Sequence, residues 1–231
     1  MIRQLIKPRR RHILIDVSTQ HDYFLAEGNA CIRNHRHVLA NVRRMMAWAR
    51  LKNIPVISTC EVYPNNNGSS EPNYCIDGTW GQRKISYSVL SNRASFPADG
   101  ATDLPADILR QYQQVILHNR CVDPFEEPRI DRLLSEVLAN EFILIGASAE
   151  GAVEAVALGL LQRGKRVTVV CDAVGSHDKR EGKMAFRKMR AKGAKLVETR
   201  HFAGKSHLKV IGTCDCKLCK PAPEKTPVKV G

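Results

Sequence analysis

The chain has 231 residues and 43% of them are hydrophobic, which suffices for one substantial core and favours one large domain over two. No apolar run reaches about 18 residues, and the segment 1–11 lacks the apolar stretch of a signal peptide, so we expect a cytoplasmic protein. The eight cysteines are too scattered for a disulfide framework, apart from the last three. We expect them to be reduced or bound to metal.

The formal net charge is +13, and the Lys and Arg residues are concentrated in the N-terminal arm, the segment 179–195 and the C-terminal tail. Clustered cations release counterions when they meet phosphates, so a polyanion or nucleic acid is a candidate partner of this surface. A solvated basic surface is the alternative, because net charge reports on non-specific association rather than on fold.

Short apolar runs rich in Ile and Val alternate with longer segments of helical periodicity. This alternation predicts a doubly wound α/β fold with about six mainly parallel strands and helices on both faces. The predicted strands are 12–17, 54–58, 114–118, 141–146, 166–171 and 195–199. The predicted helices are 38–51, 130–138 and an amphipathic helix that begins near Gly182, with Met184 or Ala185, Phe186 and Met189 facing the sheet.

An irregular segment, 63–103, separates the second predicted strand from the third. A loop of this length inside a compact domain is usually functional or disordered. We predict three parts for the chain: an α/β domain over 1–200, a Cys-rich zinc-binding segment over 201–220 and a flexible tail over 221–231.

In open α/β sheets, ligands bind outside the carboxyl ends of the strands, and this rule nominates a small set of residues. They are Asp16, Cys60, Glu61, Asp172 and the segments 118–121 and 147–152.

Three motifs are spaced along these strand ends. The first apolar run ends in Asp16 and is followed by Asp22 and an aromatic residue, while 75–81 reads Cys-Ile-Asp-Gly-Thr-Trp-Gly. The segment 145–173 contains a strand, a helix start at Ala152 and a strand that ends in Asp-Ala. Together they resemble the isochorismatase and nicotinamidase family of cysteine hydrolases over about residues 11–178. The resemblance implies the isochorismatase-like hydrolase fold and a homo-oligomer.

The resemblance also implies a catalytic triad that this sequence does not complete. In the family, a cysteine at a helix start attacks the substrate, an aspartate is the base, and a lysine stabilises both. Asp16 occupies the aspartate position, but Ala152 stands at the cysteine position and Asn119 at the lysine position. Since alanine cannot act as a nucleophile, the sequence predicts a catalytically impaired homologue, a pseudoenzyme with a binding or assembly role.

Two alternatives stay open. One is an active hydrolase of C–N or related bonds with displaced residues, in which Cys121 is the spare nucleophile because it follows the third predicted strand near His118. A purely structural Cys121 is the simpler interpretation. The other alternative is a nucleic-acid-binding protein that uses the fold as a scaffold.

Metal ligands are predicted in one place and missing from another. Nicotinamidases bind a metal through an aspartate and histidines after the second strand, and the matching segment 60–64 contains no histidine. In the tail, the spacing of Cys214, Cys216 and Cys219 lets one turn point three thiols at a single ion. We predict a structural zinc with His207 as fourth ligand, and His201, a cysteine of the main domain or a residue of another subunit is the alternative. Free thiols are the competing interpretation.

Overall fold

A seven-stranded sheet, with all strands parallel, forms the centre of the computed structural model, which describes residues 10–65 and 72–205. The strands are β1 (Arg10–Val17), β2 (Val56–Glu61), β3 (Arg93–Phe96), β4 (Gln114–Asn119), β5 (Ala139–Gly146), β6 (Val167–Val174) and β7 (Lys195–Val197). Their order across the sheet is β3-β4-β2-β1-β5-β6-β7. The predicted doubly wound α/β class is therefore confirmed.

The expected number of about six strands was one too low. The missed strand, β3, lies inside the segment 63–103 that the sequence presents as irregular, and it pairs with β4 at the margin of the sheet. Its residues alternate between exposed and half-buried positions. A short marginal strand of this kind lacks the continuous apolar run that marks a buried parallel strand.

Seven α-helices connect the strands in the described part of the chain: α1 (His21–Phe24), α2 (His35–Leu51), α3 (Ile108–Gln111), α4 (Pro128–Glu136), α5 (Ala152–Gln162), α6 (Lys179–Ala191) and α7 (Arg200–Ala203). One face of the sheet packs against α4, α5 and α6, and the opposite face packs against α2. None of the helices in the described ranges is long and apolar enough to span a bilayer.

The amphipathic helix α6 exists, but it starts at Lys179 rather than near Gly182. The Asp178 side chain accepts hydrogen bonds from two backbone N–H groups of the first turn, and this cap extends the helix toward its N-terminus. Of the two residues considered for the buried face, the structure selects Ala185, since Met184 is 67% exposed.

Parallel strands give the sheet two chemically distinct ends. Residues at and after the last positions of β1, β2, β4, β5 and β6 meet at what we term the carboxyl end. Residues at and before the first positions of β1, β5, β6 and β7 meet at the opposite, amino end. Ligands of doubly wound folds bind at the carboxyl end, so the residues gathered there are the first candidates for a functional site.

Candidate functional site

Asp16 is fully buried near the end of β1, between Ser58 of β2 and Ile145 of β5. Its Oδ2 accepts a hydrogen bond from Ser58 Oγ at 2.8 Å and lies 2.9 Å from the Nζ of Lys84. Its Oδ1 has no hydrogen-bond partner within the described ranges. The carboxylate is thus neutralised by a direct ion pair inside the protein.

Lys84 supplies the cation, and none of the sequence motifs indicates this residue. The lysine side chain is 6% exposed, and its Nζ also donates a hydrogen bond to Thr19 Oγ1 at 2.7 Å. An antiparallel bridge between Gln20 and Lys84 brings the segment 63–103 to the end of β1. One signal could have drawn attention to it, because Lys84 is the only lysine between residues 53 and 164 of the sequence.

A network of neutral polar groups surrounds the ion pair. Gln114 Nε2 donates to Ser58 Oγ at 2.8 Å and to the Ser88 carbonyl at 2.7 Å. Thr19 Oγ1 donates to Ser88 Oγ at 2.8 Å, so the network returns to the hydroxyl that Lys84 contacts. A buried network in which the members bond to one another holds its side chains in fixed positions.

Ala152, at the family's cysteine position, is the first residue of α5 and is 1% exposed. Its methyl group belongs to the apolar core formed with Ala149 and Val153. The residue before it, Gly151, has little space around it, since an added Cβ would lie 2.8 Å from Ser148 Oγ. The helix start therefore presents packed apolar surface where the family places a thiol.

Asn119, at the family's lysine position, is the buried last residue of β4. Its Nδ2 donates to the carbonyl oxygen of Cys121 at 2.5 Å, so the side chain holds the turn after the strand. Its Oδ1 has no partner in the part of the chain that is described.

Asp172, also nominated from the sequence, accepts hydrogen bonds from the backbone N–H and the hydroxyl of Thr199.

The surroundings of Cys121 disfavour a thiolate. A hydrogen bond to Glu126, followed by burial and the charges of nearby carboxylates, raises the pKa of the Cys121 thiol. His118, the neighbour that suggested activation, lies with its Nε2 3.4 Å from Ser95 Oγ, and burial lowers the pKa of its imidazole. Thiols become nucleophilic beside cations rather than beside carboxylates.

Glu61 is the last residue of β2, at the strand end where nicotinamidases bind their metal. Its carboxylate accepts hydrogen bonds from Ser18 Oγ at 3.0 Å, Tyr23 Oη at 2.7 Å and Tyr63 Oη at 3.0 Å. Burial raises the pKa of Glu61, and burial also raises the pKa of the adjacent Cys60 thiol to about 11. The two tyrosine partners were not anticipated from the sequence.

These residues do not fit a divalent metal. Both oxygens of Glu61 already accept hydrogen bonds from hydroxyl donors, and Cys60 and Glu61 alone supply fewer than three protein ligands. Over residues 10–65 and 72–205, no group of three or more His, Cys, Asp or Glu side chains could hold a metal ion.

The isochorismatase domain family matches residues 12–201. The chain belongs to the isochorismatase family. It is 26% identical over 165 residues to isochorismatase domain-containing protein 2 of Danio rerio, a match that covers 71% of this chain and 64% of that relative. The chain thus spans just under two thirds of the relative's length.

Solved structures show the same isochorismatase-family fold. Pyrazinamidase of Pyrococcus horikoshii, solved in complex with zinc, superposes with a TM-score of 0.64 at 22% identity, covering 81% of this chain and 99% of that one. MAR1 ribonuclease of Caenorhabditis elegans superposes with a TM-score of 0.58 at 21% identity, covering 86% of this chain and 82% of that one. The family and the fold expected from the three motifs are both confirmed.

Part of the predicted chemistry has no structural description. His207, Cys214, Cys216 and Cys219 lie outside the described residues, as does most of the basic N-terminal arm. His201, the alternative fourth ligand, is exposed on α7. The zinc site of the tail therefore stays a prediction from the sequence.

Proposed function

We propose that this isochorismatase-family protein lacks the family's cysteine hydrolase activity and works by binding a partner. The observation that carries the proposal is Ala152, whose buried methyl group stands at the start of α5. Covalent catalysis in the family needs a thiolate at that point, and the methyl group of Ala152 has no electron pair to supply.

The environment of Asp16 supports the same conclusion. A general base must come within about 3 Å of the proton that it removes, directly or through one water. The Asp16 carboxylate is fully buried and is already bound to Ser58 and Lys84. An aspartate held in this way stabilises the end of the strand, and its carboxylate is shielded from solvent.

The test is an assay of the full chain against nicotinamide, isochorismate and simple amides, with Asp16→Ala and Cys121→Ala variants in parallel. We expect no turnover above the uncatalysed rate. Turnover that either variant abolishes would contradict the proposal and would support the displaced hydrolase instead. The reciprocal variant, Ala152→Cys with Asn119→Lys, is expected to regain little activity because Lys84 already occupies the cation position beside Asp16.

Nucleic-acid binding is a second candidate function. The net charge of +13 favours it, and one structural neighbour of this fold is described as a ribonuclease. That neighbour is 21% identical, so we carry over only the class of ligand and no cleavage reaction. This candidate is compatible with the first, because a protein without hydrolase activity still needs a binding surface.

The tail carries a separate proposal, one structural zinc per chain bound by Cys214, Cys216, Cys219 and His207. Support comes from the thiol spacing and from the neighbouring Lys217 and Lys220, which favour thiolates. Elemental analysis of protein purified without added metal should give about one zinc per chain, and a triple Cys→Ser variant should give none. Zinc that is substoichiometric and unchanged in the variant would refute this site.

A further inference from the structure

The amino end of the sheet contains a cavity of about 530 Å³, within the volume range of ordinary ligand sites. Four cationic side chains line it: Arg11 at the start of β1, Lys165 and Arg166 before β6, and Lys195 at the start of β7. Parallel topology explains this cluster, because residues that precede different strands meet at the same end of the sheet. The family's triad positions, Asp16, Asn119 and Ala152, do not line this cavity.

The positive charge of this cavity is largely uncompensated. Glu141 is the only carboxylate that lines it within the described part of the chain. Its Oε1 accepts a hydrogen bond from Thr168 Oγ1 at 2.5 Å, and its Oε2 lies 3.3 Å from His12 Nε2. The carboxylate is therefore directed toward its neighbours in the strands, and no ion pair joins it to the four cations.

Two of the cations are held in place by backbone carbonyls. Lys165 Nζ donates to the Ser135 carbonyl at 2.8 Å and to the Val137 carbonyl at 3.0 Å. Arg166 Nε donates to the Asn140 carbonyl at 2.6 Å. Cations positioned before a ligand arrives lose less conformational entropy on binding.

Arg11 and Lys195 are exposed and make no side-chain hydrogen bond or ion pair within residues 10–65 and 72–205. Their charged groups are available to an anion from outside. They lie on the two flanks of the cavity, one on β1 and the other on β7, with β5 and β6 between these strands in the sheet. An anion that contacts both must therefore extend across the cavity.

The cationic surface continues beyond the cavity. Helix α6 runs from the carboxyl end of β6 back to the amino end of β7. Its exposed Arg187 and Arg190, and Lys192 just after its last residue, lead toward Lys195. Cations in the last turn of a helix also interact favourably with its dipole. The result is a basic strip that extends over one helix and the cavity beside it.

We propose that this strip, comprising Arg11, Lys165, Arg166, Lys195 and the C-terminal half of α6, binds nucleic acid through its phosphates. The proposal rests on the proposed function of a binding protein and specifies its ligand and its surface. A nucleic acid presents a row of phosphates that matches an extended strip, and arginine guanidinium groups bind phosphate oxygens in pairs.

The composition of the cavity favours this ligand over a membrane and predicts weak base preference. The apolar side chains that line it within the described ranges, Leu161 and Val167, are half-buried or buried, so they offer no anchor for a bilayer. The same lining has no aromatic ring apart from the His12 imidazole, so stacking of unpaired bases contributes little. Contacts to phosphates alone position a nucleic acid without reading its sequence.

The test is titration of the full chain with labelled single-stranded RNA and duplex DNA of mixed sequence at several salt concentrations. The site variant is Arg11→Gln with Lys195→Gln. Its matched control is Arg36→Gln with Lys179→Gln, which removes the same charge from exposed residues that begin α2 and α6 at the carboxyl end. We expect the site variant to weaken binding at least about tenfold at low salt and to reduce the salt slope by about two. The control should stay within about twofold of the unmodified chain.

Three results would overturn the proposal: no binding at low salt, an equal loss of affinity in both variants, or binding to anionic phosphatidylserine vesicles as tight as binding to nucleic acid. Thermal unfolding of both variants verifies that they remain folded. Failure of this proposal is distinguishable from failure of the proposed function, because hydrolysis of amides is measured on different substrates and does not depend on Arg11 or Lys195.

Discussion

The two ends of one parallel sheet differ in burial and charge. At the carboxyl end, the charged side chain at the family's aspartate position, Asp16, is buried and paired with Lys84. At the amino end, a cavity of about 530 Å³ is lined by exposed cations such as Arg11 and Lys195, and a second, more apolar cavity of about 460 Å³ lies nearby. The family keeps its chemistry at the first end, whereas in this chain a cavity lined by exposed cations lies at the second.

This contrast teaches that membership of a family and possession of its site are separate properties. The buried polar groups at the ends of the strands need hydrogen-bond or ion-pair partners. The ion pair of Asp16 with Lys84 and the surrounding hydroxyl groups provide these partners without any catalytic role. Loss of the nucleophile at Ala152 removes the need for substrate access, so the space can be filled by packed side chains.

The largest expected effect comes from breaking the buried ion pair. Lys84→Met leaves the Asp16 carboxylate buried without its cation and should lower the free energy of unfolding by about 3–5 kcal/mol. The double variant, Lys84→Met with Asp16→Asn, removes both charges and should be clearly more stable than Lys84→Met alone. Urea unfolding measures both. If Lys84→Met is as stable as the unmodified chain, the pair does not close the carboxyl end.

The fold was largely predictable from the sequence because its signals are local. The cation that pairs with Asp16, Lys84, was not predictable in this way. Runs of Ile and Val mark the buried strands, whereas the marginal strand β3 has no such run. The resemblance directed attention to Asn119 as the cation position. Lys84 instead arrives from a segment 65 residues away from its contact Thr19, through a bridge between two loops that no periodic pattern encodes.

The hydrogen-bond partners of Glu61 were likewise not predictable from local sequence patterns. Tyr23 and Tyr63 reach its carboxylate from different segments, and burial raises the pKa of Glu61. A carboxyl group with a raised pKa in the folded state binds more protons there than in the unfolded chain. Its contribution to stability is therefore largest below its unfolded pKa and declines as pH rises through the folded pKa.

Glu61→Gln should remove this dependence. As pH rises from the unfolded pKa of Glu61 through its raised folded pKa, the unmodified chain should lose stability relative to the variant. Thermal unfolding across that range checks this expectation, with the exposed Glu181→Gln as a control that should follow the unmodified chain. Parallel pH profiles of stability for Glu61→Gln and the unmodified chain would contradict the prediction, because they would mean that burial does not raise the pKa of Glu61.

Closure of the carboxyl end is tested most directly by a thiol placed at the family's cysteine position. In an Ala152→Cys variant, we predict that the new thiol resists alkylation in the folded protein and reacts in urea, because position 152 is 1% exposed. Val122→Cys, at a position 46% exposed near the same helix start, should react rapidly in the folded state. Site-resolved mass spectrometry distinguishes these thiols from the native ones. Alkylation of Cys introduced at position 152 as fast as at position 122 would contradict the account, since it would show an open site where we describe a closed one.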